Sequence, residues 1–436
     1  LESWVNENPI GLGVGWEPYP TSLRIVNWVK WHCSHNILTD IYKQSLAIQV
    51  RWLNKRIEWH ILGNHLFSNA KALFFGGLFF SGKEAETWLK KSLKIINDEL
   101  IEQVLNDGGN FERSPMYHSI FLEDLLDIIN ISQAFPDVIP ESQCNEWKKV
   151  AKRMFKWLDT MLHPDGEISF FNDAAIDIAP KLNELIHYAK RLGLNYSFTN
   201  FDKTSHLSDS GYIRLNSKDA VVLLDVAPIG PDYLPGHAHA DTLSFELSLF
   251  GQRLLVNGGT SQYGTSVIRQ YERGTKSHNT VIVNDKNSSE VWSGFRVARR
   301  AYPYDLKIEE LENFVSVRCS HNGYKRLTGK PVHWRKWQFS ESLLIIKDQI
   351  KGSFKNAYAY FHFHPSINIS KNQIDNWNLK MSNGQQVNLQ VKKGESQIEK
   401  SFYSAEFNKK FETQCLKVKL GVKGSCVKIS WNNLNQ

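Results

Sequence analysis

Two short stretches near the middle of the chain gather residues that could do chemistry. One runs Gly236-His237-Ala238-His239-Ala240-Asp241-Thr242-Leu243-Ser244-Phe245 and continues to Asn257-Gly258-Gly259-Thr260; the other is Ser277-His278-Asn279-Thr280. From Leu243 to Leu249 apolar and polar residues alternate strictly, with Ser244, Glu246 and Ser248 on the polar side. That period predicts a strand with one wet face. It puts His237 and His239 at the mouth of the strand, on one face and two residues apart. A His-x-His pair so placed can hold a divalent ion from one side when a third ligand arrives from elsewhere in the fold. On spacing alone, polar loop histidines without a ligand are the equal alternative.

The elements that must position these residues change character along the chain. Residues 22 to about 195 read as helices joined by short turns. In Asn36–Ile61, the residues Leu46, Val50, Leu53 and Ile57 mark one helical face, and Leu89, Leu93, Ile96, Leu100 and Val104 mark the next, which stops at Asp107-Gly108-Gly109. Ser114-Pro115 restarts a helix with Pro in the first turn, and further helices fit Glu141–Leu162 and Ala174–Leu192. Roughly seven helices in hairpin order suit an antiparallel helical array such as an α/α toroid. After about residue 205 the segments Ala220–Val226, Leu243–Phe250, Arg253–Val256, Val281–Asn284, Phe314–Cys319, Trp334–Phe339, Leu343–Ile346, Ala357–His364, Val387–Val391, Leu416–Leu420 and Val427–Trp431 read as short strands. Many such strands in series mean antiparallel sheets packed as a sandwich. The domains expected are therefore residues 1–204, helical, and 205–436, β, with the boundary near Ser197–Ser210.

Composition narrows the function classes. A chain of 436 residues with 42% hydrophobic residues can bury a large core, and no apolar run is long enough to span a bilayer. The net charge of +7 suits an anionic partner, yet no Lys/Arg block is dense enough to favour nucleic acid. Aromatics, at 12% with 14 Trp, serve cores by default and sugar platforms otherwise. The cysteines Cys33, Cys144, Cys319, Cys415 and Cys426 are odd in number and include no CxxC, which argues against a disulfide framework; a single Cys415–Cys426 bridge stays open.

Taken together, the motifs resemble the heparinase II/III-type polysaccharide lyases of bacteria. The resemblance rests on Gly236–Asp241, Gly258-Gly259-Thr260 after Asn257, Arg273 leading to His278-Asn279-Thr280, and Phe295-Arg296 with Arg299-Arg300. In the helical half it rests on Gly15-Trp16-Glu17-Pro18-Tyr19, Asn27-Trp28, Gly63-Asn64-His65, Asn110 to His118, His163-Pro164-Asp165-Gly166 and Phe171-Asn172-Asp173. It spans nearly the whole chain, and it implies an incomplete α/α toroid followed by a multi-sheet antiparallel β-sandwich, with an acidic polysaccharide as substrate. It also implies a periplasmic or secreted protein, with the cytoplasm not excluded.

A lyase removes the proton at C5 of a uronate and expels the C4 oxygen. The site must bind the carboxylate so that the developing charge is favoured, and it needs a base near C5 and an acid near O4. By the resemblance Asn64 is the amide donor to the carboxylate. Tyr117 and His237 are the proton carriers: Tyr117 does both jobs if C5–H and O4 lie on one side of the sugar, and His237 is the base if they lie on opposite sides. A tyrosine serves best where cations or donors lower its pKa. Trp16, His65, Glu112, Arg113, His118, Asn172, Asp173, Arg273 and Arg296 are candidates for substrate contacts; helix caps and core packing are their ordinary alternative. A basic cleft is expected from Arg269, Arg273, Arg296, Arg299 or Arg300 unless nearby acids pair with them. The resemblance also implies a zinc ion held by His239, Asn257 and His278. Asn257 stands where the family has Asp, and an amide is a poorer zinc ligand than a carboxylate. Two other classes stay in view: a glycoside hydrolase, which needs two carboxylates facing one bond and has Glu17, Glu112 and Asp173 as candidates, and a non-catalytic polysaccharide-binding protein.

Overall fold

A computed structural model describes residues 1–35 and 38–431; the start of the Asn36–Ile61 segment, at Asn36 and Ile37, lies outside the described residues. The helices are α1 (Glu2–Glu7), α2 (Pro18–His35), α3 (Asp40–Asn54), α4 (Gly63–Phe79), α5 (Lys83–Gln103), α6 (Pro115–Ala134), α7 (Glu141–Thr160) and α8 (Leu182–Arg191), with a short α9 (Val267–Glu272) inside the β region. Two compact units emerge. The first holds Leu1–Phe111, Ile120–Met154 and Asn183–Tyr196, and the second Glu112–Ser119, Phe155–Leu182 and Ser197–Gln436.

In the first unit the helical faces are those the apolar spacing marks. Leu46, Val50 and Leu53 are fully buried on α3, whereas Ile57 lies past its end. α4 is buried on nearly every side, because Leu66, Phe67, Leu73, Phe74 and Phe75 surround its axis. Two small residues let its neighbours approach: a Cβ on Gly76 would lie 2.9 Å from Val50, and one on Gly77 2.8 Å from the backbone of Leu89. α5 ends at Gln103, earlier than the Asp107–Gly109 stop, which is a turn beyond it. The helix expected over Ala174–Leu192 begins only at Leu182. Pro180, just before it, has no N–H to give and obstructs the turn that precedes it.

In the second unit β1 (Thr204–Leu207), β2 (Tyr212–Asn216), β3 (Ala220–Asp225), β4 (Phe245–Leu249) and β5 (Gln252–Leu255) form one sheet in sequence order. Then follow β6 (Val281–Val283), β7 (Val291–Trp292), β8 (Arg296–Val297), β9 (Pro303–Glu310), β10 (Val315–His321), β11 (Val332–Ser340), β12 (Leu343–Lys351), β13 (Ala357–His362), β14 (Asn368–Gln373), β15 (Asn376–Lys380), β16 (Gln386–Lys393), β17 (Glu395–Tyr403), β18 (Phe411–Lys419) and β19 (Ser425–Trp431). Eight of them order as β14-β15-β16-β19-β12-β11-β10-β9, four as β17-β18-β13-β6, and β7-β8 make a separate hairpin. Phe245, Trp337, Phe361 and Leu389 belong to one buried core spanning the strands. All five cysteines are free thiols, Cys415 and Cys426 included.

Two expectations about β4 need correction. Its polar side is not wet: Ser244, Glu246 and Ser248 are all buried. His163 covers that side, donating from Nε2 to Glu246 (2.8 Å) and accepting at Nδ1 from the Ser248 hydroxyl (2.7 Å). Glu246 also accepts the N–H groups of Phe170 and Asn257, so every polar atom that alternation turned away from the core finds a partner inside the fold. Nor do His237 and His239 sit at a strand mouth, since β4 begins only at Phe245. Leu243, at φ 64°, turns the chain in between.

Beneath that loop lies a closed buried network. Gly323 N–H donates to His321, His321 Nε2–H to His333 (3.2 Å), and His333 Nε2–H to Asp348 (2.7 Å). Arg335 chelates the same carboxylate and donates from its other end to the carbonyls of Leu243 (2.8 Å) and Asn279. A fully satisfied ionic cluster of this kind fixes the backbone of both motifs from below.

Candidate active site

The second unit assembles its candidate site around Asp173, which is fully buried. One carboxylate oxygen accepts from His237 Nδ1 (2.9 Å) and the other from His239 Nε2 (2.8 Å). Arg269, also fully buried, grips both oxygens with its two terminal nitrogens. Burial pushes the Asp173 pKa up, but the Arg269 charge and the hydrogen bonds from both histidines and Arg269 outweigh it and hold the carboxyl well below its usual range. The carboxylate is thus an ion, and His237 donates to it from Nδ1, so in the neutral imidazole Nε2 is the nitrogen with the lone pair. The His237 side chain keeps 15% of its surface exposed, enough to meet a ligand.

Tyr117 sits in the first turn of α6, where Ser114 caps the helix by accepting the Tyr117 N–H (3.2 Å). Its ring lies on that of His237, centroids 3.9 Å apart, and its hydroxyl is 2.8 Å from that of Tyr263. Burial, with Tyr263 and Asp173 adding to it, pushes the Tyr117 pKa well up, opposite to the lowering that would suit a tyrosinate base. Tyr263 was not among the sequence candidates. It lies in a loop between Gly259 and Gly264, and only the fold brings it to Tyr117, 146 positions away in sequence. Phe295 closes the aromatic group, 5.2 Å from the Tyr263 ring and 5.8 Å from that of His237.

The other candidates fall into two sets. Asn172, in the left-handed region at φ 59°, is a clamp: it donates to Arg113 O, accepts the His239 N–H and gives its own N–H to Asp241. Arg113 donates to Ser210 O, Glu112 is buried, and His118 is buried with its ring stacked on Trp157 at 4.3 Å. Arg273 is fully buried and donates to the carbonyls of Ala238, Trp292, Ser293 and Arg296. Of the remaining arginines, Arg299 pairs with Glu290 and Arg300 with Asp232, and Arg296 is exposed with no side-chain partner among the described residues. In the first unit Asn64 is the second residue of α4 and half-buried, and the helix begins after Leu62, whose apolar side chain makes no cap hydrogen bond. His65 bonds Glu58 (3.0 Å) beside the Tyr19 ring, and Trp16 is buried against Trp4 and Trp52.

The implied zinc ligands meet only in part. The facing nitrogens of His239 and His278 are 3.1 Å apart, close enough to share one ion. His278 is fixed by donating from Nδ1 to Gly274 O (2.8 Å), and burial lowers the His239 pKa to about 4. Asn257, however, spends its amide elsewhere, accepting the Asn279 N–H and donating to Phe170 O. Among the described residues no three His, Cys, Asp or Glu side chains are grouped to hold a metal. With Asn257 so committed the donor set does not fit a zinc ion with three protein ligands, and hydrogen bonds through Asn257 tie the two motifs together.

The Asp173–His237–Tyr117 array lies in the second unit, and comparison with known proteins gives the family. Residues 3–192 match the heparinase II/III N-terminus and residues 202–432 the heparinase II/III-like C-terminal region, so the chain belongs to the heparinase II/III-like family. It is 27% identical over 336 residues to a heparin-sulfate lyase of Bacteroides stercoris, matching 72% of this chain and 47% of that one. The corresponding enzyme of Pedobacter heparinus is 25% identical over 326 residues, matching 65% of this chain and 47% of that one. The chain thus spans about half the length of these relatives. The crystal structure of heparinase III superposes with a TM-score of 0.81 at 17% identity, over 98% of this chain and 72% of that one. The shared fold is an α/α toroid followed by an antiparallel β-sandwich. No described helix is long and apolar enough to cross a membrane.

Proposed function

We propose that this protein is a lyase that cleaves a uronic-acid-containing acidic polysaccharide by β-elimination. The observation that carries the reading is the Asp173–His237–Tyr117 array: a histidine held through Nδ1 by a buried carboxylate, in ring contact with a tyrosine whose hydroxyl burial keeps protonated. In this reading His237 Nε2 takes the C5 proton and the Tyr117 hydroxyl gives its proton to O4. The C4–O4 bond breaks and the C4–C5 double bond forms without water. Tyr263, hydrogen-bonded to Tyr117, relays the replacing proton. The family resemblance gives Asn64 the role of hydrogen-bonding the uronate carboxylate. Asp173 orients His237 and balances Arg269; that same ion pair makes it unsuited to be one of the two carboxylates of a hydrolase. No proton transfer is assigned to a metal.

The test is product absorbance from the new double bond, read with an acidic glycan panel that includes heparan sulfate. Tyr117→Phe and His237→Ala should each lower turnover by about two to four orders of magnitude, and Asn64→Ala should do the same, with melting curves close to the parent's. Full turnover in Tyr117→Phe would remove the mechanism.

A further inference from the structure

The β7–β8 hairpin is held by an unusually committed set of donors. Arg269 donates to Gly294 O, Gln270 to Ser293 O, and Arg273 to the carbonyls of Trp292, Ser293 and Arg296. Arg273 is fully buried, has carbonyls as its hydrogen-bond partners among the described residues, and ties the hairpin to Ala238, between the two site histidines. Burying a guanidinium without a carboxylate is costly, and what it holds in place is a hairpin of two-residue strands with exposed side chains. Trp292 is 55% exposed and Phe295 42%, and Arg296 is exposed without a side-chain partner among the described residues. Trp292 pairs directly with Arg296 across the ladder, so indole and guanidinium stand on one face. Phe295, at the turn, reaches the His237 and Tyr263 rings. The neighbouring arginines are already neutralised by Glu290 and Asp232, which leaves Arg296 as the open charge of the segment.

We propose that this hairpin is a saccharide-binding arm, on which Trp292 stacks against one sugar ring of an anionic chain while Arg296 binds that chain's carboxylate or sulfate. The arm rests on the polysaccharide reading above and adds to it a binding site beside the reacting sugar. A broad indole face gives apolar contact to the C–H side of a pyranose, and a forked guanidinium matches the two oxygens of an acid group. Arg273 is then a positioning residue, acting through the hairpin backbone.

The experiment is calorimetric titration of Tyr117→Phe protein, in which turnover is blocked, with size-defined heparan sulfate oligosaccharides and with dextran as neutral control. Trp292→Ala and Arg296→Gln, each added to that background, should weaken heparan sulfate binding about tenfold. Melting temperatures should not change, because both side chains face solvent. Arg296→Gln should also flatten the salt dependence of binding, and Trp292→Phe, which keeps a ring, should recover part of the loss. Parent-like affinity in both Trp292→Ala and Arg296→Gln overturns the arm, as does equal binding of dextran. A tenfold loss in both, with no unsaturated product from the wild-type protein on the same chain, keeps the arm and removes the lyase reading.

Discussion

Asp173→Asn removes one charge from the centre of the site and changes little in shape. Arg269 then remains fully buried without its ion partner, and breaking a buried pair in this way costs about 3–5 kcal/mol. The chemical effect is separate. An Asn side chain can meet His237 Nδ1 with either its oxygen or its amide, so the ring loses the acceptor that fixes its tautomer. If His237 Nε2 is the base, turnover should fall by about two to four orders of magnitude. Unfolding in urea reads the first effect and product absorbance the second. The double variant Asp173→Asn/Arg269→Gln distinguishes them further: removing the stranded cation should restore much of the stability and none of the rate. An Asp173→Asn protein with parental stability and parental turnover would refute the reasoning on both counts.

Two further outcomes follow from the buried histidines and the divided ligand set. His362 is buried, and desolvation lowers its pKa from 6.5 to about 4, so between those values the unfolded chain binds the extra proton and stability must fall as pH falls. One such group contributes about 3 kcal/mol across that window; urea midpoints at pH 7 and pH 4.5 should show the loss, and His362→Gln should reduce it. Because Asn257 is committed to Phe170 and Asn279, a chelator should leave both the melting temperature and turnover unchanged, whereas Asn257→Ala should lower the melting temperature. A chelator-induced drop in melting temperature would show that His239 and His278 hold an ion after all.

Much of this molecule could be read from sequence because local rules govern it. The step of four and three through Leu46, Val50 and Leu53 reports a helix face that is buried. Pro115 after Ser114 places Tyr117 in a first turn, and all eleven segments named as strands overlap one. The strands not foreseen include β1, β9, β14 and β17, which are sheet edges. An edge strand has a free side and fewer apolar demands, so β9 can begin with a proline and β17 can carry Glu395, Glu399 and Lys400 without the usual β signal.

What tertiary structure alone decided is how polar groups are shared over long distances. Alternation separated Ser244, Glu246 and Ser248 from the core face, but only packing against His163 and Phe170 decided that they would be dry. The Phe171-Asn172-Asp173 motif marked Asp173 without showing that one carboxylate would serve His237, His239 and Arg269 together. No periodicity could place Tyr263 on Tyr117, nor reverse the expected direction of the Tyr117 pKa, since that direction comes from burial and from charges supplied by other segments. Local sequence fixes which way a side chain points within its own element; desolvation and the choice of partner depend on what the rest of the chain brings against it.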